Sequence, residues 1–582
     1  MHRDRRGHKR SVRLFGGTLA VLVLGACTPG ACNPPPGPPP REFQLQVLSF
    51  NDFHGHLQPP LSTDATLGAQ LDPSNTPVGG AEYLSSTLSA LRSEADHSVT
   101  VAAGDLIGGS PFLSGLFHDE PAVESLNALG LDVSSVGNHE FDEGVDELLR
   151  MQNGGCRADD GCYPAWGGAE YPGADFPWLA ANVVREATGE TILPGTTVQE
   201  INGVKVGYIG MTLEDTPVLV AQSGIQGIAF LDEVRTANAA TRELKRQGVK
   251  TIIVMIHEGG LQAGTFNECE GISGPIVAIA EELHPEIDLV VTGHTHQPYV
   301  CNIPDGQGKP RMVTSASSFG RVVTETMLTI NRRTGEVNRD ATTSTNHLVA
   351  RTTADPVQTE IIQRWDALSA PIANRVIGTI TANLTRAPNR DQESTLANTI
   401  ADAQLAATAA PENGGAQLAL MNPGGVRADL GVNQVSGGEQ PGEVTYGEAF
   451  AVQPFGNLLV TMDLTGAQIE RLLEQQAITG RPGGRDVLIF GVSAGLTFTY
   501  NAAAPAGARI DPASIALNGT VLNPATTYRV TTNGFLADGG DGFTVFREGT
   551  NRLGGGEDLV ALLDYFAANS PVSPPADRIA GI

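Results

Sequence analysis

Five short apolar runs in the first half of this chain each stop at residues that can bind a metal ion, and this recurrence constrains the fold more than any other feature. "LSF" is followed by Asn51-Asp52-Phe53-His54, "VTVAA" by Gly104-Asp105, and "VSSV" by Gly137-Asn138-His139-Glu140. "IIVMI" is followed by His257-Glu258-Gly259-Gly260, and "LVVT" by Gly293-His294-Thr295-His296. Between such runs lie helical patterns, for example "AEYLSSTLSALRSEA" and "DEVRTANAATRELKRQG". Buried strands alternating with helices predict an α/β chain whose N-terminal domain is a layered α-β-β-α sheet structure. In open α/β sheets ligands bind at the carboxyl ends of the strands, so one pocket would collect all five corners.

The residue types at those corners narrow the chemistry. In an extended segment residues i and i+2 share a side, so Asp52 with His54, and His294 with His296, can each address one site. Asp52, His54, Asp105, Asn138, His257, His294 and His296 offer carboxylates, one amide oxygen and four imidazoles. That mixture suits Zn, Mn, Fe or Co, not a calcium cage or a thiolate zinc site. Seven side chains exceed the needs of one open catalytic ion and suit two divalent ions about 3.5–4 Å apart, bridged by a carboxylate. A single histidine at a strand end is usually a packed or capping residue, but five corners in order defeat that explanation. His56, Glu140 and Glu258 are read as facing away by strand parity or as redundant.

Charge bears on the partner. The formal net charge of −27 argues against nucleic acid and would repel small anions. A phosphate site must therefore bring its own positive charge, which two metal ions supply.

The rest of the chain divides as follows. Residues 1–26 have a basic start and a short apolar run, as a signal peptide does, and Leu24-Gly25-Ala26-Cys27 resembles a bacterial lipobox. Lipid attachment at Cys27 would anchor the protein to a membrane; an ordinary secretory signal cut nearby is the other reading, and both are extracytoplasmic. Residues 27–42 form a Pro-rich tether. Export favours two disulfides, Cys156–Cys162 and Cys269–Cys301, among the six cysteines. Expected domains are 43–350, a helical linker over 351–373, and a second α+β domain over 374–582, where composition shifts to Ala, Gly, Asn and Thr. In that domain "MNPGGVRADL" carries Asn422, Gly424, Gly425 and Arg427, glycines permitting close approach of backbone to a ligand. "VQPFGNLL" carries Phe455 and "NGFLADGGDGF" carries Phe535 and Asp541; aromatics beside glycines suit a slot for a planar base. No obligate protein partner is expected.

The order D-x-H, GD, GNHE, H, GHxH resembles the calcineurin-like metallophosphoesterase superfamily. With the second domain, nearly all of residues 43–582 resembles the secreted bacterial 5′-nucleotidase and UDP-sugar hydrolase family. The resemblance implies that Asp52, His54, Asp105 and His296 hold one metal, that Asp105 bridges, and that Asn138, His257 and His294 hold the other. Some members carry Gln or Asn where this chain has His296, so the metal stays open among Zn, Mn, Co and Fe. It also implies that His139 is no ligand but stabilises the transferring phosphoryl group or leaving oxygen, oriented by Asp142. The alternative for Asp142 is a cap on the helix beginning "DEGVDELLRM". Phe455 and Phe535 would sandwich the nucleobase, Asp541 would accept from ribose hydroxyls, and Arg390, Arg427 and Asn422 would hold phosphate or ribose oxygens. The implied activity is phosphate release from nucleoside 5′-monophosphates, with di- and triphosphates and UDP-sugars as further substrates. A 2′,3′-cyclic nucleotide 2′-phosphodiesterase/3′-nucleotidase shares these motifs, and a non-catalytic nucleotide-binding lipoprotein is a third reading.

Overall fold

Alternation within the strand Glu42–Phe50 sets the layers. Phe43, Leu45 and Val47 face one way, into a core shared with a second sheet, while Leu48 and Phe50 face the other, into a core shared with helices. In the computed structural model the described residues are 41–582, except 159–160, 221, 388–389, 482–484 and 576. The signal segment, Cys27, Cys32 and the tether up to residue 40 lie outside the described residues.

Six strands form the first sheet, in the order Thr343–Leu348, Val322–Asn331, Glu42–Phe50, Ser98–Ala103, Val133–Ser135, Trp178–Leu179. The last four run parallel and the first two pair antiparallel. The second sheet runs Tyr299–Asn302, Met312–Ser315, Leu289–Thr292, Thr251–His257, Val204–Thr212, Thr196–Ile201, with parallel pairing inside and antiparallel strands at both edges. Val206, Tyr208, Ile253, Met255 and Val291 of this sheet meet the inward residues of the first. On its outer face Val254, Ile256 and Val290 pack with Ala237 and Leu244 of the helix Glu233–Arg246 and Ile276 of the helix Pro275–Glu282. The outer face of the first sheet is covered by the helices Ala81–Arg92 and Glu120–Leu129. The result is a four-layer α-β-β-α domain, its strands near-continuous apolar runs because both faces are buried.

The helix Pro356–Ala373 starts where the chemistry of its first residues dictates: Asp355 accepts from the Val357 N–H at 2.8 Å and Pro356 needs no donor partner. It is not a free connector. Trp365 is fully buried and its indole donates to Glu124 at 2.8 Å, and Gln358 and Ser125 exchange hydrogen bonds, so its first turns dock on the first domain, while its end at Ala373 packs against the helix Tyr446–Val452 of the second. The chain enters the second domain after it. There a five-stranded sheet runs Gly491–Val492, Leu418–Met421, Thr527–Asn533, Leu458–Thr465, Thr550–Glu557, flanked by the helices Thr395–Thr408, Gly466–Glu474 and Asp558–Asn569. Disulfides join Cys156 to Cys162 and Cys269 to Cys301. Among the described residues no helix is long and apolar enough to cross a membrane.

Candidate metal centre and adjoining pocket

Each of the five corners is where the strands place it, at one end of the two facing sheets, and the side chains converge. Asp52, His54 and His296 bring one ligand atom each within 4.8 Å of one another, and so do Asp105, His257 and His294. His296 Nε2 lies 3.1 Å from Asp52 Oδ1, and His257 Nε2 lies 2.9 Å from Asp105 Oδ2. His54 Nε2 joins the two groups, 3.6 Å from Asp105 Oδ2 and 3.3 Å from His296 Nε2. His294 Nδ1 approaches Asn138 Oδ1 at 3.1 Å.

Strand parity is not what aims these side chains. Asp52, His54, Asp105, His294 and His296 have φ of 50°, 46°, 51°, 69° and 58°, so the corners coil through the left-handed region and the i, i+2 rule for extended chain does not apply. Such angles cost an ordinary residue on the order of 1 kcal/mol each and persist where surrounding structure over-determines them, as at functional sites. Gly293 lies outside the left-handed region and serves another purpose. A Cβ there would stand 2.8 Å from Ala103 O and 2.9 Å from both Asp52 Oδ2 and His257 Nδ1, so glycine provides room for the adjoining corners. Gly137 does the same, since its Cβ would meet Asp105 Oδ1 at 2.3 Å.

These residues fit divalent ions. His54 and His257 each place Nδ1 on a backbone carbonyl, of Gly108 at 2.8 Å and of Ala103 at 2.7 Å, which directs the Nε2 lone pair into the cluster. His257 Nε2 is buried against the Asp105 carboxylate, 2.9 Å away. Burial holds His54 well below the usual imidazole range and His294 down to about 3, so both rings are neutral, as a ligand must be. Burial also opposes charge on His257, but Asp105 and Asp52 outweigh it and hold that ring up to about 10 without metal. Burial raises Asp52, whereas His257 and His139 overcome burial to hold Asp105 well below the carboxylate range.

His139 sits on a short turn, His139–Phe141, with Nδ1 2.8 Å from Asp142 Oδ2. Burial disfavours its charge, but Asp142 and Asp105 raise its pKa above the ordinary value. Asp142 does not cap the next helix, which begins at Val145 after Gly144. Glu140, set aside on parity, proves central: it accepts the backbone N–H of Asp105 at 3.0 Å, Leu106 at 2.8 Å and Gly137 at 2.5 Å. The turn at 139–141 is not extended, so its side chain swings back beneath two corners. A carboxylate next to corner amides was the only signal for it. His56 stays out of the cluster, stacked on Phe319 at 4.0 Å.

Above the cluster lies a cavity of about 150 Å³ walled by both domains. Asp105, Asn138, His139, Asp142, His294 and His296 line it from below, and Arg390, Asn422, Gly425, Arg427, Phe455, Phe535 and Asp541 from the second domain. Asp52, His54 and His257 are fully buried beneath it. Phe455 lies nearly parallel to the His139 ring, at 17° with centroids 5.8 Å apart, and Arg427 stands over the same phenyl ring at 5.7 Å. Asn422 donates to Asp541 Oδ2 at 2.9 Å and accepts from Asn533 at 3.0 Å. Burial, then Arg390 and Arg386, push the Arg427 guanidinium down to about 10, and burial also lowers Arg390. Arg481, not foreseen, donates to the Asp541 carbonyl and holds that turn. Leu219 and Val220 also line the cavity and carry no motif.

Comparison with known proteins agrees with this architecture. Residues 45–298 match the calcineurin-like phosphoesterase family and residues 376–548 match the 5′-nucleotidase C-terminal domain. "Cell wall protein Lmo0130" of Listeria monocytogenes is 32% identical over 573 residues, covering 92% of this chain and 69% of that protein. "Endonuclease YhcR" of Bacillus subtilis is 30% identical over 90% of this chain, which spans only 40% of that relative's length. The crystal structure of a 5′-nucleotidase precursor from Thermus thermophilus superposes with a TM-score of 0.74 at 27% identity, over 93% of this chain and 99% of that one.

Proposed function

This chain belongs to the 5′-nucleotidase family, and from that premise we propose that it is an exported, metal-dependent phosphohydrolase releasing phosphate from nucleoside 5′-monophosphates. One observation carries the reading: the clustered metal-ligand side chains lie at and beneath one cavity whose other wall is Arg390, Asn422, Arg427, Phe455, Phe535 and Asp541 of the second domain. Asp52, His54, Asp105 and His296 would hold one divalent ion, and Asn138, His257 and His294, with Asp105 shared, the other. When bound, such ions supply Lewis-acid charge and lower the pKa of water at neutral pH.

The chain's own residues then do the following. His139, its Nδ1–H donated to Asp142, turns Nε2–H as a charged donor toward the phosphoryl oxygens or the leaving oxygen. Arg427 and Arg390, both buried and lining the cavity, would pair with the anionic oxygens of the substrate. Asp541, already oriented by Asn422, accepts from ribose hydroxyls. Phe455 and Phe535 both line the cavity and would sandwich the base. Di- and triphosphates and UDP-sugars share the same recognised groups and fall within the proposed range.

The two disulfides support export, as does the likeness to a cell wall protein. Anchoring through a lipid on Cys27 belongs to the same proposal; metabolic fatty-acid labelling that persists in Cys27→Ser contradicts it. The activity is tested by phosphate release from 5′-AMP, 3′-AMP, 2′,3′-cyclic AMP and UDP-glucose with Mn or Co. Preference for 5′-AMP supports the reading, and preference for the cyclic ester overturns it.

A further inference from the structure

The pocket's remaining wall comes neither from the ligand corners nor from the second domain. Leu219 and Val220 follow the turn Thr216–Val218 of the first domain and line the cavity together with Phe535 and Asp541. The turn is fixed at both ends. Thr216 is fully buried, its hydroxyl donating to Leu213 O at 2.8 Å, and Val220 is 5% exposed in the same core as Phe141. Further on, Gly224 stands against Gly144, where a Cβ on Gly144 would meet the Gly224 Cα at 3.0 Å. Leu219 is half-buried between the turn anchored by Thr216 and the buried Val220. The 216–218 turn lies against Gly540–Gly542 of the second domain, the turn that carries Asp541.

An isobutyl group gains nothing from a phosphate or from ribose hydroxyls, but it gains buried area against a flat, largely apolar ring face. Leu219 lines the same cavity as Phe535, and the turn before it lies against Gly540–Gly542, where a Cβ on Gly540 would run into the Phe535 ring; that neighbourhood matches a base and not a phosphate. We propose that Leu219 is a specificity residue that packs on the nucleobase, so that the first domain contributes directly to recognising a group otherwise held by the second. The inference rests on the nucleotidase reading and deepens it: it assigns the selection of a base-bearing phosphate ester over a bare sugar phosphate partly to the catalytic domain.

The test compares kcat/KM for 5′-AMP and for ribose 5-phosphate, which lacks the base, in the full chain with added Mn. In Leu219→Ala the ratio of the two falls about five- to tenfold, the size expected for losing part of a leucine's buried area, and the change sits in KM for 5′-AMP rather than in kcat. In Leu219→Trp, which overfills the slot, the same ratio also falls. A ratio within about twofold of wild type in both variants overturns the inference while leaving the nucleotidase reading intact. A wild-type protein that hydrolyses neither ester overturns that reading, and the inference with it.

Discussion

Asp105 touches more of the centre than any other side chain. Its Oδ1 accepts the His139 backbone N–H at 2.9 Å, its Oδ2 lies by both His257 and His54, and its own N–H is held by Glu140. Asp105→Asn is therefore expected to abolish turnover and metal binding together, read by elemental analysis and phosphate release. His139 differs: a ring nitrogen comes within 4.8 Å of ligand atoms of Asp105 and His54, but its Nδ1 is bonded to Asp142. His139→Asn should lower kcat by about 10²–10³-fold while metal content holds; loss of metal would mean the ligand assignment is wrong. Glu140→Gln replaces an acceptor of three amides by a group that must present a donor to at least one of them. It should weaken metal binding by about 10–100-fold, measured by competition with a chelating dye.

At the scale of elements, the metal corners depend on how closely strand ends approach one another. Gly293→Ala drives a methyl group against Ala103, Asp52 and His257 at once, and metal content is expected to fall with little change in far-UV circular dichroism. The helix Asp558–Asn569 carries a separate consequence. Asp558 is buried, burial pushes its carboxyl up to about 7, and its side chain accepts from the Asn457 amide and the Leu559 N–H. A carboxyl raised in the folded state keeps its proton there while the unfolded chain loses it, so its contribution to stability is lost as pH rises from about 4 to about 7. Asp558→Asn should accordingly show a smaller fall in Tm between pH 5 and pH 7.5 than the wild type. The strand runs and their corners were legible in the sequence because a buried parallel strand is a continuous apolar run and ligands sit where it ends. Glu140 was not, because whether a residue follows a strand extended or in a tight turn is set by tertiary packing. Leu219 was not either, since an apolar residue on a turn carries no chemistry until the opposite domain is placed.

Two domains are needed to complete one pocket. The first domain brings the proposed metal ligands, His139 and Leu219, and the second brings the guanidiniums, the aromatic pair and Asp541. Arg427 also lies near the first domain's Gly109, where a Cβ would come within 3.2 Å of its Nη2. Arg427→Ala should thus raise KM for 5′-AMP by about 10–100-fold and leave metal content unchanged, which separates substrate binding from metal binding. The central claim, that a pair of divalent ions held by the seven corner residues supports nucleotide hydrolysis, is tested most directly by titrating Mn into chelator-stripped protein while following phosphate release from 5′-AMP. No turnover is expected in the stripped protein, and a plateau is expected at two ions per chain. Turnover without added metal, or a plateau at one ion per chain, would contradict the claim.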